Sequence, residues 1–558
     1  MPSLDDPEVV ATDVLVIGGG AAACSAALEA AKHGVQVTIL DKGRVGRSGS
    51  SATSGGGTAA LVEEECQRIH KADTLAAGLG INDEALVEIL VKEGISRVAD
   101  FETLGVAYSK DVYRRPISGH SQLNTSRRIT GGSASMMEVL RKEVLHRGVQ
   151  VFEGVMAAGL FVRDGRVIGV LALDIRRERT CVFEAKSVVL AAGSATGLYT
   201  YASPAFVTTG DAFALGYHAG AELANLEFIE FTLNPAPHGH LLAASGVNPF
   251  VSHGARFVNA RGEAFMAHHA AEKADSAARG QLVLAAYREM IEGRGPVFSD
   301  QSEISPEGWR AFEATSGANV LPKLRALGVD PRRERFEWVP AVHTHLGGLI
   351  ISQWAETRLA GLYAAGESST GVHGAERLGG NAMSECLVFG HRAGRSSAVH
   401  ALATRRIPPS AVERQAEIDR LRAHFGNTTG DVRQLQRQLK ALAWETLGVV
   451  RTEAGLRRGE GEFQRVSHEM APLLRVGTIA DLARVLEVEN LALIGEMVSG
   501  AALLRRESRG CHQRQDYPQR DDENWRRCSV LRKGPDGTMQ TSLRTPGTGG
   551  SPVPTEWH

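Results

Sequence analysis

The chain has almost no excess charge, few aromatic residues and no closely spaced cysteines. Its 62 Lys and Arg residues against 64 Asp and Glu residues give a formal net charge of −2, and aromatic residues make up 6%. Without an excess of basic residues, no nucleic-acid partner is expected. The six cysteines occur singly, without CxxC spacing. Their pattern argues against an iron–sulfur or zinc module and fits a reducing compartment.

Long apolar runs are missing as well. The longest begins at Val14 and is interrupted by Gly18-Gly19-Gly20, so it carries too little hydrocarbon to span a bilayer. Residues 1–13, MPSLDDPEVVATD, are acidic and lack the basic start and apolar core of a signal peptide. These absences predict a cytoplasmic protein without a membrane span. With 43% hydrophobic residues over 558 positions, the chain is long enough for two or three packed domains.

The N-terminal stretch has the spacing of a dinucleotide-binding strand–turn–helix–strand unit. Residues 14–17 predict a buried strand, residues 18–23 (GGGAAA) a glycine turn, and the following alanines a helix that ends near Lys32. A second strand over 35–40 ends at the acid Asp41. Such glycines allow a pyrophosphate to approach closely, and such an acid binds ribose hydroxyls. The N-terminal position of the unit and the later motifs favour FAD over NAD.

Three further segments are compatible with a flavin site. Residues 46–57, GRSGSSATSGGG, can lie against a flavin ring and donate hydrogen bonds, or can form a plain linker. Residues 187–193, SVVLAAG, predict a buried strand that returns to the nucleotide domain and passes the cofactor. Asp211, which follows Thr209 and Gly210, can hold a flavin or ribityl hydroxyl, or can cap a helix.

The stretch over 364–390, AAGESSTGVHGAERLGGNAMSECLVFG, organises the rest of the chain. It places one arginine, Arg377, in a glycine-dense loop, and Gly380 then opens an apolar segment that is compatible with a helix. The free N–H groups of such a helix start suit an anion or a carbonyl, and an arginine beside it can hold a carboxylate by two hydrogen bonds. Taken alone, the stretch would be read as an ordinary glycine-rich loop with a surface arginine.

The remaining pattern predicts an α/β fold: a Rossmann-like FAD-binding domain with an inserted α+β capping domain and a C-terminal helical region. The proline-containing, irregular segment is the predicted insertion, helical periodicity defines the C-terminal region, and a Gly, Pro, Ser and Thr-rich end predicts a flexible tail. The predicted boundaries are 1–232 and 343–410 for the two parts of the FAD-binding domain, 233–342 for the capping domain, 411–532 for the helical domain and 533–558 for the tail.

Five ordered blocks resemble the flavoprotein family of fumarate reductase, succinate dehydrogenase and L-aspartate oxidase, over a span from Asp13 to about Leu531. They are VLVIGGGAAA, VVLAAG followed by TGD, HTHLGG, AAGE…HGAERLGGN and ESRGCHQRQDYPQRDDENW. The resemblance implies that FAD lies between the nucleotide domain and a mobile capping domain. The cofactor-binding residues that we predict are Gly18, Gly20, Ala21, Asp41, Lys42, Ser48, Gly55, Gly56, Ala192, Asp211, Glu367, Ala382 and Met383.

The resemblance also implies three catalytic residues. His343 and Arg377 match the family's ligands for the substrate carboxylate, and Arg279 matches the arginine that serves as proton donor or acceptor. A guanidinium hardly loses its proton in water, so that role requires a pocket that lowers the cost of the neutral form. From the residues alone, Arg279 can instead be a surface arginine or one behind the site, and His343 can be a packed, hydrogen-bonded core histidine.

The chain departs from the family pattern at three places. The family's flavin-linking histidine would fall near Gly49, so we expect FAD to be bound without a covalent link. Thr232 stands where the family has a substrate-binding histidine, and is predicted to bind substrate in its place. The family's proton-relay stretch appears here as residues 247–253, VNPFVSH. A changed substrate or a different way of handling the proton is therefore expected.

We predict an FAD-dependent oxidoreductase, either an oxidase or a dehydrogenase, that moves a hydride between a small di- or amino-carboxylate and flavin N5. The electron acceptor is dioxygen or a redox partner, and a homodimer is the expected assembly because homodimers are common. One alternative is a flavin-dependent monooxygenase that acts on an amino-acid nitrogen, as of aspartate. The other is a non-catalytic flavoprotein subunit of a redox complex. No metal is expected, because the histidine pairs at 238/240 and 268/269 lack carboxylate or cysteine neighbours.

Overall fold

A computed structural model of the chain describes most of its residues. The described residues are 3–54, 57–59, 64–108, 121, 126–203, 208–242, 250–269, 277, 279–314 and 317–547. Two predicted cofactor residues, Gly55 and Gly56, lie outside them, as do residues 247–249 of the departure from the family pattern and residues 548–558 of the predicted tail.

The largest sheet has a parallel half and an antiparallel half. In order its strands are Gln150–Glu153, Val37–Asp41, Ser3–Ile17, Arg179–Leu190, Arg166–Asp174 and Val155–Arg163, with Leu362–Ala364 also pairing with Arg179–Leu190. The first four strands and Leu362–Ala364 run parallel, and the last two complete an antiparallel meander. The strands Val37–Asp41 and Leu362–Ala364, and residues 14–17 and 187–190 of the two strands between them, are buried on both faces, which explains their nearly continuous apolar sequence.

Two small-residue helices pack closely on this sheet. The helix Ala21–Ala31 follows the glycine turn, and the helix Asn381–Ala403 lies against it. A Cβ at Gly394 would lie 2.2 Å from the carbonyl oxygen of Ala26, so the two backbones approach to a distance that only glycine permits. The segment 364–390 is thereby fixed against the N-terminal unit although more than three hundred residues separate them along the chain.

A second, four-stranded antiparallel sheet lies in the segment between the two parts of the larger one. Its order is Ile229–Pro235, Phe336–His345, Val297–Asp300 and Arg256–Val258. The helices of this segment are Met266–His269, Arg279–Ile291, Pro306–Ala314 and Gly317–Ala326. The domain boundaries that we give from the sequence stay a prediction.

A third sheet of five strands corrects the expectation of a flexible tail from residue 533. Its order is Ser369–Thr370, Gly348–Ile350, Leu223–Ala224, Cys528–Lys533 and Met539–Arg544. The last two strands form an antiparallel hairpin whose turn contains Gly537 at φ +86°. The prediction of a flexible tail is wrong for this hairpin, because Gly and Thr are common in disordered segments but a positive-φ glycine is also typical of a tight hairpin.

Four long helices form most of the C-terminal region: Ala411–Arg422, Val432–Thr446, Glu453–Arg465 and Ile479–Leu504. Each has a side-chain N-cap, from Ser410, Asp431, Thr452 and Thr478 respectively, which satisfies an otherwise unbonded N–H of the first turn.

The remaining elements complete the fold around these layers. The other helices are Ser50–Thr53, Glu64–Ala77, Glu84–Thr103, Ser133–His146, Asp211–Ala219 and Asp522–Trp525, and the strands Gly57–Ala59 and Ser126–Arg128 form a two-stranded sheet. In the described part of the chain, no helix combines the length and the apolar character that crossing a membrane requires.

Candidate active site

The glycine turn brings the ends of two parallel strands into contact. Gly18 has φ +118°, and a Cβ there would lie 2.2 Å from the carbonyl oxygen of Ala191. Its N–H donates to the carbonyl oxygen of Leu40 over 2.7 Å. Backbone, rather than side chains, therefore forms the floor of the space at the carboxyl ends of these strands, where open α/β sheets bind nucleotides.

The structure brings most of the predicted cofactor residues together around one cleft, which we call the cofactor cleft. The predicted residues that line it are Gly18, Gly20, Ala21, Asp41, Lys42, Ser48, Ala192, Asp211 and Glu367. Ala382 and Met383 lie outside this lining, in the first turn of Asn381–Ala403. Gly49 also lines the cleft, so the position of the family's linking histidine faces the cofactor region without a side chain.

Asp41 is a buried acid at the end of the second strand. Its Oδ1 accepts a hydrogen bond from the N–H of Gly43, and its Oδ2 lies beside Gly19, where a Cβ would approach to 2.0 Å. Burial raises the pKa of Asp41, against the lowering effect of the Gly43 N–H and of Lys42. The glycine turn and the acid are thus pressed together, as a site for a ribose and a pyrophosphate requires.

Lys42 and Asp211 form an ion pair with each other, rather than standing as two independent cofactor ligands. The Nζ of Lys42 lies 2.9 Å from Asp211 Oδ2 and 2.8 Å from Glu487 Oε1. Burial would lower the pKa of Lys42, but the two carboxylates outweigh it and raise that pKa. Asp211 is the first residue of its helix and Gly210 is the N-cap, so the helix-cap alternative for Asp211 does not hold. Glu487, from the C-terminal helical region, was missed by sequence reasoning.

Glu367 joins the cofactor cleft to the second group of predicted residues. Its Oε1 accepts hydrogen bonds from Ser194 Oγ at 2.6 Å and from Thr344 Oγ1 at 2.7 Å. Burial raises the pKa of Glu367, while the charge of nearby Arg377 acts to lower it. Thr344 in turn follows His343 on the strand Phe336–His345.

The second group, which we call the arginine cluster, consists of Glu230, Arg279, His343 and Arg377. Glu230 lies between the two arginines: its Oε1 is 2.6 Å from Arg279 Nη1, and its Oε2 is 2.6 Å from Arg377 Nη2. The side chains are 1%, 8% and 6% exposed for Glu230, Arg279 and Arg377, so the surface alternatives for both arginines are wrong.

The two guanidinium groups are incompletely satisfied. Arg377 Nη2 donates a well-directed hydrogen bond to Glu230. The contact of Arg279 Nη1 with Glu230 is close but poorly directed, and neither this nitrogen nor the Nε of either arginine donates a hydrogen bond to any described residue. Buried donors without acceptors are costly, so these N–H groups favour an incoming anion or carbonyl.

The charges of the arginine cluster are fixed by burial and by the arginines. Burial alone would raise the pKa of Glu230, but Arg279 and Arg377 outweigh it and lower that pKa to about 2. Burial, assisted by the two arginines, lowers the pKa of His343 to about 3. At neutral pH the cluster therefore contains two guanidinium ions, one carboxylate and a neutral imidazole, and its net charge is positive.

A β-bulge directs His343 towards the cluster. Glu230 pairs with Thr344 and Phe231 with Val342, so His343 is the extra residue of its strand. A bulge of this kind re-aims a side chain. The Nδ1 of His343 lies 2.8 Å from Ser203 Oγ, which fixes the ring. His343 is thus half-buried and hydrogen-bonded to Ser203, and it belongs to the arginine cluster rather than to the packed core.

Thr232 lies on the same face of its strand as Glu230. The two are separated by two positions on Ile229–Pro235, and Thr232 is 1% exposed. Polar residues recur at every second position of this fully buried strand, at Glu230, Thr232 and Asn234. That alternation is the signal in the sequence that could have identified Glu230, which we missed.

A second carboxylate, Glu376, was also missed. Its Oε1 accepts a hydrogen bond from the N–H of Gly280, the residue after Arg279, over 3.0 Å. Burial raises the pKa of Glu376, in contrast to Glu230, and the Gly280 N–H and the charge of Arg279 lower it too little to reverse that shift. The available signal was its position immediately before Arg377, within a block that resembles the family.

The cofactor cleft fits FAD. The contact between Gly18 and Ala191 forms a cradle that any Cβ would fill, and a buried acid, Asp41, ends the adjacent strand. Both features match the requirements of a dinucleotide. Over the described residues, no group of three or more His, Cys, Asp or Glu side chains is arranged to hold a metal ion.

Two protein families match the chain. The FAD binding domain family matches residues 13–383, and the family described as fumarate reductase flavoprotein C-term matches residues 436–549. The first match spans the glycine turn, the whole arginine cluster and the start of the helix Asn381–Ala403.

Two similar proteins cover almost the entire chain. It is 32% identical over 551 residues to a fumarate reductase (CoM/CoB) subunit of Methanothermobacter marburgensis, with 95% of this chain and 98% of the relative covered. It is 31% identical over 560 residues to L-aspartate oxidase of Streptomyces coelicolor, with 95% of this chain and 93% of the relative covered.

Solved structures share the fold. Sdh1 of Mycobacterium smegmatis in complex with UQ1 superposes with a TM-score of 0.85 at 26% identity, over 96% of this chain and 95% of that one. FrdA of E. coli quinol fumarate reductase superposes with a TM-score of 0.87 at 24% identity, over 98% of each chain. The predicted α/β class and its Rossmann-like FAD-binding architecture, with capping and C-terminal helical regions, are confirmed.

Proposed function

The chain belongs to the family of FAD-dependent oxidoreductases that includes fumarate reductase flavoproteins and L-aspartate oxidases, and we propose that it moves a hydride between a small carboxylate and flavin N5. The observation that carries the proposal is the pair of buried arginines, Arg279 and Arg377, with unsatisfied N–H groups beside the cofactor cleft. Buried cationic donors without sufficient anions are typical of a site that binds one.

The cofactor cleft would hold the FAD. Gly18 and Gly20 let the pyrophosphate approach the backbone, and Asp41 accepts hydrogen bonds from the ribose. Bound FAD supplies a two-electron acceptor for the substrate's hydride. Because Gly49 offers no nucleophile where it lines the cleft, we propose non-covalent binding, which release of free FAD on acid precipitation of the protein would test.

The arginine cluster would hold and orient the substrate. Arg377 can donate to a carboxylate through its free Nε, and neutral His343 can add a hydrogen bond without adding charge. Thr232 offers a hydroxyl on the same strand face as Glu230. Holding a small acid at several points fixes the orientation of the reacting C–H bond. Such fixed orientation accounts for much of the rate enhancement of enzymes.

Arg279 is proposed as a donor rather than a base. Glu230 lies 2.6 Å from the Arg279 guanidinium, and a guanidinium is not deprotonated in proteins. A charged Arg279 can stabilise negative charge that develops on the substrate. Glu376, which bonds the neighbouring Gly280 N–H and whose pKa is raised by burial, is the nearby carboxyl group best placed to hold a proton.

The partners proposed are a small carboxylate and an electron acceptor, either dioxygen or a redox protein. The M. marburgensis relative is named as one subunit of its enzyme, whereas the S. coelicolor relative is named as an oxidase. Re-oxidation of the reduced protein by air, with hydrogen peroxide formed in equal amount, would identify dioxygen as the acceptor.

The test is anaerobic reduction of the FAD-loaded protein by small di- and amino-carboxylates, followed through bleaching of the visible flavin absorbance. Arg377→Ala should lower the second-order rate of reduction by about 1,000-fold while the protein stays yellow, because one aimed donor to a reacting group is worth about 100- to 1,000-fold and its charge anchors the substrate. The matched control is Arg395→Ala, an exposed arginine of the helix Asn381–Ala403. Equal rates in the two variants would refute the role of the arginine cluster.

A further inference from the structure

Glu230 stands in the position that a substrate carboxylate would take. Its two oxygens each lie 2.6 Å from a different guanidinium, which is the arrangement of a bound anion bridging two arginines. On the premise of the proposed function, we propose that Glu230 permanently occupies one of the two anion positions of the site, so that the substrate is an acid of single negative charge with a hydrogen-bond donor facing Glu230, rather than a dicarboxylate.

Glu230 cannot move aside at low cost. It is 1% exposed, and every residue of its strand Ile229–Pro235 is buried. The strand is paired along its whole length with Phe336–His345. A carboxylate withdrawn from both arginines would remain in the interior as an uncompensated charge, which is strongly destabilising. Glu230 therefore belongs to the fixed part of the site.

The charge of the site favours a monoanion. Arg279 and Arg377 contribute two positive charges, Glu230 removes one, and His343 is neutral at pH 7. Burial raises the pKa of the neighbouring carboxyl groups Glu367 and Glu376, which favours their neutral forms. A substrate with one carboxylate brings this buried cluster to neutrality. A dicarboxylate would leave it with an excess negative charge and would place one of its carboxylates next to Glu230, and like charges in contact cost several kcal/mol.

The surroundings of Glu230 suit a donor rather than a second acceptor. Thr232, on the same strand face, contributes a hydroxyl and no charge. The Oε1 of Glu230 accepts no well-directed hydrogen bond from any described residue despite its close contact with Arg279. An amide, amine or hydroxyl group of the substrate can supply that bond.

Two probes of nearly equal shape separate the charge states: succinate, with two carboxylates, and succinamate, in which an amide replaces one of them. Dissociation constants are measured at one pH from the change in flavin absorbance of the FAD-loaded protein. The wild-type protein should bind succinamate at least about tenfold more tightly than succinate, because the like-charge contact is absent. Tighter binding of succinate by the wild-type protein overturns the proposal without any variant.

Glu230→Gln removes the charge but keeps the shape. It should shift the preference by about 10- to 100-fold towards succinate, since the amide no longer repels a second carboxylate. Glu289→Gln is the matched control: Glu289 is also buried and paired with an arginine, Arg294, but lies outside the arginine cluster, so it should keep the wild-type preference. A preference unchanged within twofold in Glu230→Gln overturns the inference.

The outcomes separate this inference from the proposed function. If Arg377→Ala abolishes binding of both probes but Glu230→Gln leaves the preference intact, the carboxylate site stands and the role of Glu230 falls. If neither probe alters the flavin of the wild-type or the Glu230→Gln protein, the site does not bind small carboxylates, and both proposals fall together.

Discussion

The cofactor cleft and the arginine cluster are adjacent, but the cleft is formed mainly by small residues and backbone groups and the cluster by polar side chains. The cleft is lined by glycines, alanines and backbone groups of the first strand–helix unit, and its one lysine, Lys42, is matched by carboxylates. The arginine cluster is built from three charged side chains and one neutral imidazole, contributed by four distant segments, and it keeps a net positive charge. The first region offers shape and the second offers charge, which suits a large invariant cofactor beside a small exchangeable acid.

The two regions also differ in how they tolerate change. A backbone cradle fails when any atom is added to it, whereas a charge cluster fails when one charge is removed. Substitutions that affect one region and leave the other intact therefore test whether the division is real. The largest effect is expected in the cleft, and the smallest at the contact between the two regions.

Gly18→Ala should destroy the cofactor cleft and leave the fold. The added Cβ would lie 2.2 Å from the carbonyl oxygen of Ala191, a backbone atom that cannot turn away, at φ +118°. We expect FAD affinity to fall by about 1,000-fold, on the order of 4 kcal/mol, measured by titration of the apoprotein with FAD.

Its control is Gly34→Ala, which shares a positive φ of +73° but has no atom within 4 Å of the new Cβ. Any loss common to both variants reports backbone strain alone. Tight FAD binding by Gly18→Ala would show that the cleft is not the cofactor site. The contrast between a cleft that binds the cofactor and a cluster that binds the substrate would then be wrong.

The arginine cluster should have a signature in acid that the cleft lacks. Because the folded-state pKa of Glu230 is lowered from 4.5 to about 2, the stability that it contributes is fully present above pH 4.5 and is lost as the pH falls towards 2. The contribution is about 3 kcal/mol, measured as the free energy of unfolding in urea at a series of pH values.

Glu230→Gln removes the group that takes up this proton, so the free energy of unfolding should depend less on pH in this range. Glu307→Gln, at a side chain 74% exposed, should leave that dependence unchanged. An identical slope in the wild-type and Glu230→Gln proteins would mean that Glu230 is not held ionised by the two arginines. The net charge assigned to the arginine cluster would then be wrong.

This difference between the two regions explains which residues and contacts of the site could be predicted from the sequence. The glycine turn, the strand ending in Asp41 and the arginine at 377 follow local spacing, and such local geometry is determined within a few residues. The placement of Glu230 between Arg279 and Arg377 depends on a strand pairing across more than one hundred residues and on a bulge at His343. Lys42 was predicted as a cofactor ligand, but its pairing with Glu487 arises only when the C-terminal helical region packs on the sheet.

The same reasoning accounts for the hairpin at residues 528–544. Composition favoured a flexible tail, since Gly and Thr are common in disordered segments. The strand Met539–Arg544 is instead held by backbone pairing with Cys528–Lys533, which itself pairs with Leu223–Ala224 in the interior. Such edge pairing has little sequence signature beyond its turn, because it uses main-chain groups that every residue carries.

The smallest effect is expected where the two regions meet. Thr344 Oγ1 donates to Glu367 of the cofactor cleft over 2.7 Å, although Thr344 itself neighbours His343 of the arginine cluster. Thr344→Val removes that hydroxyl and should weaken FAD binding by about 3- to 10-fold, the range of a single hydrogen bond. Substrate affinity should change less than twofold, because no arginine among the described residues bonds Thr344, and Thr344→Ser should restore the wild-type values. A larger loss in substrate affinity than in FAD affinity would show that the strand Phe336–His345 couples the two regions, and that shape and charge are not separable in this site.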